Sequence, residues 1–148
     1  MNRTCSMMRL LMAEDDPEDQ MLVRKAFAHA HLANELMIVN NGEELMDYLL
    51  RRSPYEMAHR PDLILLDLNM PRKDGREALR EIKADPVLRA IPVVVLTTSS
   101  ADEDILRSYD LGVNSYVQKP VTFPKLVELV TELGNYWFKI VKLPPNGE

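Results

Sequence analysis

Leu63-Ile64-Leu65-Leu66-Asp67 is the stretch whose reading decides the fold. Four consecutive apolar residues show no alternation, so both faces of the segment must be covered, as in a strand inside a parallel sheet. The run then stops on a carboxylate. Two further runs share this design. Leu10-Leu11-Met12-Ala13 is followed by Glu14-Asp15-Asp16, and Val93-Val94-Val95-Leu96 by Thr97-Thr98-Ser99. Leu36-Met37-Ile38-Val39 and Ser115-Tyr116-Val117-Gln118 are weaker strand candidates suited to sheet edges, and the second leads into Lys119-Pro120.

Helical periodicity fills the intervals. Asp16 is placed to cap a helix, Pro17 fits the first helical position, and Glu18 and Asp19 suit the positive end of the dipole. Val23, Ala26, Phe27 and Ala30 then form one apolar face. Leu45, Met46, Leu49 and Leu50 predict a second helix from about Glu43. Ala78, Leu79 and Ile82 predict a third, between Gly75 and Pro86. Ile105 and Leu106 mark a fourth from Ala101 to Gly112, and Leu126, Val130 and Leu133 a fifth from about Thr122. Strand and helix thus alternate, which calls for right-handed crossovers. The expected fold is α/β: a doubly wound, five-stranded parallel sheet of flavodoxin-like order 2-1-3-4-5, with five helices and a C-terminal helical extension.

Composition narrows the function. The 148 residues, 46% hydrophobic and 28% charged, suit one globular domain. The net charge of −5, with no basic stripe, argues against nucleic acid as a partner. No apolar run approaches the ~18 to 20 residues that span a bilayer. Met1 to Arg9 has no signal-peptide character, and Cys5, the single cysteine, has no partner for an internal disulfide. A cytoplasmic location is the expectation.

In open α/β sheets the functional crevice lies beyond the carboxyl ends of the strands. Glu14, Asp15 and Asp67 end neighbouring strands there, and Lys119 enters from another. Like charges at such range repel by ~1 kcal/mol per pair even at the dielectric of water. A raised pKa on one acid, or a cation, relieves this; an all-oxygen cluster at a wet crevice suits Mg2+. A carboxylate in that setting can act as nucleophile and take a phosphoryl group. Thr97 offers a hydroxyl to a phosphoryl oxygen. Asp16, abutting Pro17, is read as a cap alone.

These residues resemble response-regulator receiver domains of two-component signalling. The resemblance rests on Glu14-Asp15, on Leu65-Leu66-Asp67-Leu68-Asn69-Met70-Pro71 with Asp74-Gly75, on Pro92 to Thr98, and on Gly112 to Pro120. It implies Asp67 as phosphoacceptor, and magnesium held by Asp15 and Asp67, by Glu14 mostly through water, and by the Asn69 carbonyl. It implies Lys119 paired with Asp67, a cis bond before Pro120, and a switch built on Thr97, Thr98 and Tyr116. The chain would promote only its own phosphorylation and dephosphorylation, and would not be an enzyme toward other substrates.

Three stretches are similar to the small regulators that partner phytochrome-type histidine kinases: Arg60 to Glu77, Leu96 to Ser99, and Tyr136 to Pro144. That resemblance implies a sensor histidine kinase, a bacterial phytochrome, as donor. Residues 1–8 read as a lead-in, 9–133 as the receiver and 134–148 as an extension. Trp137 beside Phe138 cannot both face one core, so a homodimer through the C-terminal half is expected, without nucleic acid or membrane. An aspartate-nucleophile phosphatase uses similar parts, but it needs an acid two residues beyond the nucleophile, where Asn69 stands. An intermediate in a phosphorelay is the other alternative, and no output domain is expected.

Overall fold

The computed structural model describes residues 8–30, 34–68, 70, 72–97, 115–120 and 122–135, and for Met8, Asn34, Thr97, Ser115 and Tyr116 the backbone alone. The strands are β1 (Met8–Ala13), β2 (Asn34–Val39), β3 (Leu63–Leu66), β4 (Val93–Thr97) and β5 (Ser115–Gln118). The helices are α1 (Pro17–His29), α2 (Gly42–Leu49), α3 (Gly75–Ala84) and α4 (Phe123–Gly134). The strands form one parallel sheet in the order β2-β1-β3-β4-β5, so the two weaker runs do lie at its edges. The helix expected over 101–112, and residues 136–148 of the expected extension, Trp137 and Phe138 among them, lie outside the described residues.

Successive strand side chains point to opposite faces, and the buried residues sort accordingly. Leu11, Ala13, Ile64, Leu66, Val93 and Val95 pack with Leu45, Met46 and Leu49 of α2 and Ala78, Leu79 and Ile82 of α3. Leu10, Met12, Leu63, Leu65, Val94 and Leu96 pack with Val23, Ala26 and Phe27 of α1 and Leu126 and Val130 of α4. Unbroken apolar runs are therefore what a sheet clothed by helices on both sides requires.

Asp16 caps α1 as expected, and Asn41 and Asp74, which the sequence reading does not single out as caps, do the same for α2 and α3. Asp16 Oδ1 accepts from the Glu18 N–H at 2.8 Å, Asn41 Oδ1 from Glu44 at 2.8 Å, and Asp74 Oδ1 from Arg76 at 2.9 Å. Leu50 departs from expectation. It is 42% exposed, because the chain leaves the helix there and turns left-handed at Arg51, whose φ is 56°. That turn carries Leu50 off the apolar stripe. A second departure concerns Pro120. Among the described residues the cis peptide bond is Ser53–Pro54, and Lys119–Pro120 is not cis. The long, flexible Lys119 side chain reaches the acids without that bend.

Candidate acidic phosphoacceptor site

The sheet brings the acids together through its register. Met12 pairs with Leu65 and Ala13 with Leu66, so the residues that follow, Glu14 and Asp67, emerge side by side. The Asp67 N–H donates to the Ala13 carbonyl at 3.1 Å, and the Glu14 N–H to the Val39 carbonyl at 3.0 Å, extending the ladders one step past each strand. Gln20 Nε2 then donates to the Glu14 carbonyl at 2.6 Å and to Asn40 Oδ1 at 2.8 Å, tying the first turn of α1 to the ends of both β1 and β2.

Glu14 is 1% exposed and Asp67 6%, whereas Asp15 is exposed. One carboxylate oxygen from each of the three lies within 4.8 Å of the others. This is a donor set of hard oxygens with an open side, and it fits a divalent ion such as Mg2+. Asp16 lies outside this cluster, and its carboxylate caps α1, as the neighbouring proline suggests.

Lys119 closes the pocket from the end of β5. Its ammonium contacts the Glu14 carboxylate, lies 3.0 Å from Asp19 Oδ2, and stands 3.8 Å from Asp67 Oδ2. The expected pairing with Asp67 is therefore the longest of the three. By sequence Asp19 is an acid suited to a helix start, and nothing in residue spacing links it to a lysine 100 positions away. Burial pushes the Glu14 carboxyl above its ordinary 4.5, despite hydrogen bonds from Lys119 and from the Asp16 N–H. For Lys119, burial favours the neutral amine, but bonds to Glu14 and Asp19 outweigh it and raise the pKa above 10.5. The ammonium stays charged.

Thr97 ends β4, and Tyr116 lies in β5 opposite Val95; their side chains, with Asn69 and Thr98, are outside the described residues. On the far side of Asp67, Gly75 begins α3. A Cβ there would lie 2.2 Å from the Asp67 carbonyl oxygen and 2.7 Å from Leu68 Cα, so a hydrogen is what lets the helix approach the Asp67 backbone.

Sequence comparison agrees with this geometry. The response regulator receiver domain family matches residues 10–131. The chain belongs to that family. This receiver is 43% identical over 135 residues to response regulator Rcp1 of Synechocystis, covering 91% of its own length and 92% of Rcp1. Its fold matches the phosphorylated cyanobacterial phytochrome response regulator RcpA with a TM-score of 0.89 and 44% identity, over 95% of this chain and 100% of that one. The Mn2+-bound form of Rcp1 matches with a TM-score of 0.86 and 42% identity, over 93% and 99%. A more distant match, the receiver domain of a sensor histidine kinase from Pseudomonas aeruginosa with magnesium in its active-site cleft, has a TM-score of 0.67 and 25% identity, over 86% and 97%. The receiver is thus a two-component signalling domain homologous to phytochrome response regulators. Among its described residues no helix is long and apolar enough to cross a membrane.

Proposed function

We propose that this receiver accepts a phosphoryl group on Asp67 from a sensor histidine kinase of the phytochrome type, in the cytoplasm. The observation that carries this reading is the convergence of Glu14, Asp15 and Asp67 within 4.8 Å, with Lys119 against them. An Asp67 carboxylate oxygen attacks the phosphorus of a phosphohistidine. The P–O bond to Asp67 forms as the P–N bond breaks, and the imidazole leaves as the acceptor of the freed electron pair. Glu14, Asp15, Asp67 and the Asn69 carbonyl would hold Mg2+, which when bound neutralises charge on the phosphoryl oxygens. Lys119 supplies a fixed positive charge on the other side.

Thr97 and Thr98 are the hydroxyls that would bind the transferred group, and Tyr116 the aromatic that would turn in response. The surface of the C-terminal half changes as a result, which is a local charge biasing a bistable element. A homodimer through that half would carry the signal. The chain would catalyse no other turnover.

The test is intact mass after incubation with magnesium and acetyl phosphate. We expect one phosphoryl group on the wild type and none on Asp67→Asn. A gain of mass that survives the substitution would refute Asp67 as acceptor.

A further inference from the structure

We propose that Asp19 is a positioning residue that holds the Lys119 ammonium on the α1 side of the pocket and competes for it with the phosphoryl group. The inference rests on the reading of Asp67 as phosphoacceptor. A charge-assisted bond of 3.0 Å joins Lys119 to Asp19, whereas the 3.8 Å to Asp67 exceeds hydrogen-bonding reach. The dipole of α1 accounts for an acid in its first turn, but not for a bond across 100 residues of sequence. The turn that presents Asp19 is itself fixed, by the Asp16 cap and by Gln20 bonded to Glu14 and Asn40.

An ammonium has three donors, and here it meets three carboxylates. The Lys119 side chain is 10% exposed and that of Asp19 32%, so their attraction is only partly screened by water. Phosphoryl oxygens arriving on Asp67 must draw Lys119 toward them against this bond. Asp19 therefore sets how much of the lysine's charge reaches the phosphoryl group, and it adds a negative charge that an anionic donor must approach.

Initial rates of phosphorylation by acetyl phosphate and magnesium, read by intact mass on the full chain, test this. Asp19→Asn should raise the rate roughly 3- to 10-fold, the scale of removing one charge at a few ångströms in a partly screened site. Asp19→Glu, which restores the carboxylate, should return it toward wild type. Glu18→Gln is the control: Glu18 is exposed, one residue away, and loses the same charge. Its rate should match wild type. An unchanged or slower Asp19→Asn, an equal rise in Glu18→Gln, or an Asp19→Glu no different from Asp19→Asn would each overturn the proposal. Failure of the phosphoacceptor reading looks different: no mass gain on the wild type, or a gain retained in Asp67→Asn.

Discussion

Asp85 shows how much one carboxylate can organise. It accepts from the Val87 N–H at 2.8 Å and the Leu88 N–H at 3.0 Å, fixing the 3-10 turn Leu88–Ala90 that leads into β4. Those two bonds hold its pKa below the ordinary 3.8. A folded-state pKa below the unfolded one means stabilisation that is present above about pH 3.8 and is lost as pH falls through the folded value. Asp85→Ala should therefore be less stable than wild type near neutrality, with the gap closing below that pH. Denaturant midpoints at a series of pH values measure it; a gap that widens in acid would contradict the assignment. At this same scale the site was partly legible in sequence. Glu14, Asp15, Asp67 and Lys119 announce themselves because each terminates a strand, and strand ends converge by topology. Asp19 does not, because its partner is chosen by side-chain reach between elements far apart in the chain.

Among the elements, strands were more legible than helix ends. An apolar run must be buried on both faces, and Leu63–Leu66 is just that. Where a helix stops depends instead on backbone geometry, so Leu50 continues the apolar spacing in sequence and yet is exposed. The start of α3 is set by contact. Gly75 donates its N–H to the Leu68 carbonyl at 3.0 Å, and a Cβ would meet the Asp67 carbonyl at 2.2 Å. Gly75→Ala should cost about 3 kcal/mol, the upper range for overpacking, because backbone and not a flexible side chain must give way. Urea unfolding would read this as a lowered midpoint; an unchanged midpoint would show that α3 can shift freely away from Asp67.

For the whole molecule, the parallel sheet is the decisive fact, and it was readable because three double-faced apolar runs alternate with helical stripes. Assembly is harder to read, since a second copy leaves the same apolar mark as a core. If the C-terminal half dimerises, sedimentation should give twice the 17.0 kDa of one chain, and truncation after Gly134 should give a monomer. A monomer in both cases would end that idea.

Because all five strands run the same way, Glu14, Asp15, Asp67 and Lys119 all follow strands at one end of the sheet. The 50–62 connection lies where β3 begins, about 13 Å of strand from Asp67, and Met57 there is 90% exposed. A fluorophore, an affinity handle or a fused protein attached at that connection would sit at the opposite end of the sheet, leaving the acids uncovered.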